Sequence, residues 1–185
     1  DAAAATADRG TQDWTDEQHS TDEKREFERW RRIVHEVFDD VKEPQACFDA
    51  LYAHFGSPGA WCCHREAADV LPRLKESGFR LALASNFDSR LDRIADGLHE
   101  FRHIDLRVIS SLVGHRKPSP LFYQTLVARA GCRADEILMV GDDYENDVEG
   151  ARRAGLRAIQ YSPGASGGEG DGITSLSDLA ARLRA

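Results

Sequence analysis

Residues 137–147 read Ile-Leu-Met-Val-Gly-Asp-Asp-Tyr-Glu-Asn-Asp, and this stretch decides the fold. Four apolar residues in succession suit a strand buried on both faces, as in a parallel sheet covered by helices. Asp142, Asp143, Glu145 and Asp147 then crowd into six positions before Asn146 to Ala154 reads as helix and Gly155 ends it. A helix start uses one carboxylate as its cap, so several at this range repel one another unless a cation offsets them. An apolar strand that ends in acids and runs into a helix is the pattern of an open α/β sheet, whose ligands bind beyond the carboxyl ends of its strands.

The same alternation recurs on both sides. Upstream, Pro72 to Ser77 reads as a helix closed by Gly78, and Phe79 to Ala84 as a strand that ends at Ser85-Asn86. Asp88 or Ser89 can cap a short helix to Asp96, Leu106 to Ile109 is a second strand, and Pro118 to Ala130 is a helix closed by Gly131. Downstream come a strand, Leu156 to Gln160, and a last helix from Leu176 to Leu183. The expected architecture is α/β, a doubly wound parallel sheet with a Rossmann-like core over residues 61–185. Ser162 to Gly172 is glycine-rich but lacks the order of a phosphate loop, so it reads as a surface loop.

Ahead of this core, Phe27, Trp30, Val34, Val37, Phe38 and Val41 recur at spacings of three and four, which predicts an amphipathic helix ending before Pro44. A second helix from Pro44 is expected to bury Cys47, Leu51 and Phe55 and to stop at Gly56-Ser57-Pro58-Gly59. Residues 21–60 therefore form a helical unit. Residues 1–20, polar, Ala-rich and aperiodic, read as a flexible acidic lead-in.

Composition excludes several functions. With 185 residues, 41% hydrophobic and 30% charged, the chain suits one domain plus a small appendage. The net charge of −8 is concentrated in residues 1–28, where nine acids face three bases, and no basic stripe of a general nucleic-acid binder appears. No apolar run approaches the ~18 residues that a membrane span needs. The Ala-rich start also lacks the regions of a signal peptide, so a cytoplasmic location is expected. Cys47, Cys62, Cys63 and Cys132 form neither a disulfide framework nor a C-x-x-C metal pattern and read as small thiols.

Three places set polar residues just after apolar runs: Ser85-Asn86, Lys117 beyond Val108-Ile109, and Asp142 to Asp147. Singly, they are a turn, a solvated lysine and helix caps. Together they supply donors and a cation for a phosphoryl group. They also supply two aspartates five positions apart, within reach of one Mg²⁺.

These residues resemble the haloacid dehalogenase-like hydrolase superfamily, most of whose members are Mg²⁺-dependent phosphatases. LALASN, with Ser85, is similar to the second family motif, HRKPSP, with Lys117, to the third, and GDDYEND, with Asp142 and Asp147, to the fourth. They stand in the family's order, 32 and 25 residues apart, and the resemblance spans residues 21–161. It implies that the helices of 21–60 are part of an α-helical cap. It also implies that Ser85 and the Asn86 backbone hold phosphoryl oxygens, that Lys117 bridges nucleophile and phosphate, and that Asp142 and Asp147 bind Mg²⁺. Asp143 is either a further ligand or a helix cap. Metal-free dehalogenases carry serine where this chain has Asp142, which favours phosphoryl transfer. The implied activity is hydrolysis of a small phosphorylated metabolite through an aspartyl-phosphate. The alternatives are a non-catalytic phosphate- and metal-binding relative and a metal-free 2-haloacid dehalogenase.

The family's first motif, a strand followed by D-x-D-x-T that carries the nucleophile, has no match. Val37 to Glu43 (VFDDVKE) continues a helical period, lacks the threonine and places Asp39 only 46 residues before Ser85. The chain begins at Asp1 rather than Met and so reads as a fragment or processed product. In the family's sheet that first strand lies between the strands that here end at Ser85 and Asp142. Leu81–Ala84 and Ile137–Val140 are therefore expected to flank a gap or to be bridged by a strand from outside this chain. The oligomeric state is left open.

Overall fold

A computed structural model describes residues 16–164 and 172–183. The first fifteen residues of the expected lead-in and most of the glycine-rich loop lie outside the described residues. Residues 16–20 of that stretch are described. Asp16–His19 forms a helical turn, α1, and Ser20 pairs antiparallel with His115. Two backbone bonds fix this segment, Thr21 N–H to Gly114 O at 2.9 Å and Arg116 N–H to His19 O at 2.8 Å.

Asp22 caps helix α2 (Glu23–Val37) by accepting from the Arg25 N–H at 2.8 Å. Helix α3 (Pro44–Phe55) packs on it through Phe48 and Tyr52, whose rings each stand edge-on to Phe27 at 5.0 Å between centroids. The buried residue of α3 is Phe48. Cys47 and Leu51 are only half-buried, and Phe55 is exposed, contrary to the periodicity. In α2, Val34 is buried, but Val37 is 65% exposed and Phe38 follows the helix end, because the aromatic contacts with α3 lie further back along α2. A strong apolar period therefore overstates burial where the neighbouring helix does not reach.

Beyond this hairpin the elements alternate: α4 (Ala67–Glu76), β1 (Ala82–Ser85), α5 (Arg90–Gly97), β2 (Leu106–Ile109), α6 (Ser110–Val113) and α7 (Pro120–Ala130). There follow β3 (Leu138–Gly141), a π-helical turn (Tyr144–Glu149), α8 (Gly150–Arg153), β4 (Arg157–Gln160) and α9 (Leu176–Arg182). The fold is α/β, as the alternation predicts. Helix α4 starts well before Pro72, because Val70 and Leu74, four apart, bury on one face. The short α6 was not foreseen. It ends on Gly114, whose φ of +87° is a conformation that glycine adopts without strain.

The strands form two parallel pairs. In the first, β1 runs beside β2 with Ala82 opposite Leu106, and in the second β3 runs beside β4 with Leu138 opposite Arg157. Among the described residues β1 and β3 do not pair with each other, in keeping with the gap anticipated between them. Helical layers hold the two pairs in one body. On one side Phe122, Tyr123 and Leu126 of α7 join Ala151 of α8 against Val108 of β2, Met139 of β3 and Ala158 of β4. On the other, Val70 and Leu74 of α4 and Leu179 of α9 pack with Leu81, Leu138, Val140 and Ile159. No helix among the described residues is long and apolar enough to cross a membrane.

Candidate active site

Strand β1 ends at Ser85, which is half-buried opposite Ile109 of β2. Asn86 follows and turns its side chain onto the backbone of Lys117. Its Oδ1 accepts from the Lys117 N–H at 2.7 Å, and its Nδ2 donates to the Lys117 carbonyl at 3.0 Å. One carboxamide thus matches both polar groups of one peptide residue, as a strand neighbour would, and fixes the lysine loop 31 residues away. The family resemblance implied a backbone role for Asn86 and gave no sign of this clamp.

So held, Lys117 is 9% exposed and points into the molecule. Its Nζ donates to the Ala84 carbonyl at 3.0 Å and to Asp147 Oδ1 at 2.5 Å, linking the end of β1 to the turn beyond β3. Asp147 is 5% exposed, and its second oxygen, Oδ2, accepts from the Asp143 N–H at 3.3 Å. A buried ion pair of this kind persists only when both partners are well bonded.

Gly141 makes room for that carboxylate. A Cβ built there would lie 2.2 Å from Asp147 Oδ2, so only glycine lets the aspartate fold back against the strand end. This is a steric reason for the Gly-Asp pair that the motif alone does not give.

Asp142 stands exposed at the end of β3. Asp143 is the cap of the π-helical turn. Its Oδ1 accepts from the Asn146 N–H at 2.9 Å and its Oδ2 from Asn146 Nδ2 at 2.6 Å. These bonds, the backbone one foremost, hold its carboxyl below the usual aspartate range. Of the two roles left open for Asp143, the structure shows the cap. Asp39 is exposed in the turn after α2, because the helix stops at Val37 and does not run on to Val41 as the period predicts.

The structure therefore gathers Asn86, Lys117 and Asp147 by direct bonds, with Ser85 and Asp142 at the adjoining strand ends. Among the described residues no group of three His, Cys, Asp or Glu side chains stands close enough to form a metal cage. Two aspartates are nevertheless a donor set that fits Mg²⁺, which keeps water or phosphate oxygens in its remaining positions.

Beside this crevice lies a contact that the sequence did not suggest. Asp88, fully buried, pairs with the Arg90 guanidinium at 2.7 Å. The same guanidinium donates to the Tyr52 carbonyl at 2.7 Å and lies 3.5 Å from the centroid of the Tyr52 ring. Arg90 thereby joins helix α3 to the loop that follows Asn86.

A Rossmann-like core with a lysine and aspartates beyond its strand ends has the arrangement in which open α/β sheets bind their ligands. The chain belongs to the haloacid dehalogenase-like hydrolase family, which it matches over residues 1–155, a span that starts earlier than the motifs suggested. It is 33% identical over 135 residues to the human haloacid dehalogenase-like hydrolase domain-containing protein 3, covering 70% of this chain and 54% of that one. It is 31% identical over 137 residues to a phosphoserine phosphatase of Thermus thermophilus, covering 72% and 54%. The chain thus spans about half the length of these curated relatives. Among solved structures, a HAD phosphatase from Thermococcus onnurineus shares the fold at a TM-score of 0.66 and 21% identity, over 82% of this chain and 69% of that one.

Proposed function

We propose that this chain carries most of the site of a Mg²⁺-dependent phosphatase acting on a small phosphorylated metabolite. The observation that carries the reading is the Lys117 ammonium, bonded at once to the Ala84 carbonyl at the end of β1 and to Asp147 in the turn beyond β3. A cation so placed can neutralise charge that develops on a transferring phosphoryl group. Ser85 and the Asn86 backbone would supply donors to the phosphoryl oxygens. Asp142 and Asp147 would hold Mg²⁺, whose contribution when bound is further neutralisation of phosphate charge. Helices α2 and α3 would belong to the cap.

The attacking carboxylate of an aspartyl-phosphate route is to be supplied by a strand from outside this chain, seated between β1 and β3. The aspartates favour this reading over a metal-free dehalogenase, and relatives named as phosphatases support it.

The test is a Mg²⁺ titration by calorimetry, followed by p-nitrophenyl phosphate hydrolysis with and without an added peptide, an apolar strand ending in Asp-x-Asp. Expected are measurable Mg²⁺ binding, its loss in Asp142→Ala, and phosphate release that requires peptide, metal and Lys117. Halide release from a 2-haloacid in excess chelator would reverse the assignment. Mg²⁺ and phosphate binding with no turnover under any supplement would leave a non-catalytic binding protein.

A further inference from the structure

We propose that Tyr123, which lies in no family motif identified in the sequence, is a positioning residue that aims Asp147 by holding the π-helical turn in register. The proposal rests on the reading of Asp147 and Lys117 given above.

Tyr123 is fully buried in α7, yet its hydroxyl finds a partner by donating to the carbonyl of Asn146, the residue immediately before Asp147. The location of that bond is informative. In a regular α-helix the Gly150 N–H would bond to the carbonyl four residues back, that of Asn146. Here it bonds to Glu145 O, five residues back, as a π-helical turn requires. The Tyr123 hydroxyl donates to the carbonyl from which the Gly150 N–H was diverted, so the phenol favours the wide register over the regular one.

Register decides direction. A π turn advances by a smaller angle per residue than an α turn, so closing it to α would rotate Asp147 relative to Asp143, which caps the same turn. The observed register sends Asp147 back over Gly141, onto Lys117 Nζ and the Asp143 N–H.

Gly150 completes the device. A Cβ there would lie 2.8 Å from the Tyr123 hydroxyl and 2.7 Å from Pro118 Cβ, although its backbone is ordinary helix with φ −60°. The glycine provides space for Tyr123 and for the residue after Lys117, rather than conformational freedom.

The test compares the full chain with Tyr123→Phe, Gly150→Ala and, as a packing control, Phe122→Leu, which alters the neighbouring buried ring of the same core cluster and leaves the Tyr123 hydroxyl in place. Amide hydrogen exchange is followed by peptide over residues 139–151, and the Lys117 ammonium by nitrogen-15 resonance. Tyr123→Phe is expected to quicken exchange in 144–150 at least tenfold while α7 and β3 stay unchanged, and to weaken or abolish the protected ammonium resonance.

Gly150→Ala should act in the same direction, although helix propensity alone would slow exchange there. Phe122→Leu should spare both readouts or loosen the whole domain evenly. Unchanged exchange in 144–150, uniform quickening in Tyr123→Phe, or an intact ammonium resonance despite faster exchange would each overturn the proposal. Neither readout needs a metal. A separate titration of the wild-type chain with Mn²⁺, read by electron paramagnetic resonance, tests the metal reading, and absence of binding there would sink that reading alone.

Discussion

At the scale of single residues, the site is organised around one buried charge pair. Lys117 and Asp147 are each nearly removed from water, so each makes the other tolerable. Removing one partner should cost far more than removing both. Lys117→Ala is expected to destabilise the chain by about 3–5 kcal/mol in urea unfolding, with much of that loss returned on adding Asp147→Asn. A loss equal in the single and double variants would mean that the pair is not coupled. Gly141→Ala should act from the other side by displacing the Asp147 carboxylate, and weaker Mg²⁺ binding with unchanged helix content is the outcome to measure. Lysine and aspartate were legible in the sequence only as a set, because each alone has an ordinary structural use while together, after apolar runs, they suit one ligand. The glycine's role and the Asn86 clamp were not, since both depend on atoms brought together from 6 and 31 positions away.

At the scale of elements, capping decides how the chain leaves β3. The Asp143 carboxylate is bonded in its ionised form, so its pKa in the folded chain lies below the value near 3.9 of a free aspartate. A depressed pKa contributes stability that is present above the unfolded value and lost as pH falls through the folded one. Asp143→Ala should therefore cost about 1 kcal/mol at neutral pH, as N-cap losses do, and the cost should shrink toward zero as the medium is acidified below pH 4. Urea midpoints at stepped pH values measure this, and a difference independent of pH would contradict it. Helix α3 offers a second case, in which Arg90→Ala strands the fully buried Asp88 and detaches the Tyr52 carbonyl. The expected loss is about 3–5 kcal/mol. Alternation of helix and strand was readable because short apolar runs that end in polar residues stand apart from the longer segments closed by glycine. The π-helical turn was not, because its register is chosen by Tyr123, some twenty residues earlier in the chain.

At the scale of the whole molecule, the sheet is two parallel pairs rather than one continuous surface, and helices α7 and α4 with α9 bind them from either side. This arrangement leaves one edge of β1 and one edge of β3 with backbone groups unused by any described strand, and the Lys117 side chain links their ends. An unpaired edge is a template for another strand. If the proposed outside strand seats there, it binds the folded chain and not the unfolded one, so it must stabilise in proportion to its occupancy. A peptide of apolar strand sequence ending in Asp-x-Asp, added at a hundred times its dissociation constant, should raise the unfolding free energy by about 2.7 kcal/mol. The same peptide with proline at its centre cannot donate to both neighbours and should have little effect. Because the Lys117 ammonium would meet an aspartate side-chain carboxylate of the peptide, Lys117→Ala should weaken the response to Asp-x-Asp more than the response to an Asn-x-Asn control. Equal stabilisation by the proline variant would show that the peptide binds a face of the molecule other than the slot between β1 and β3.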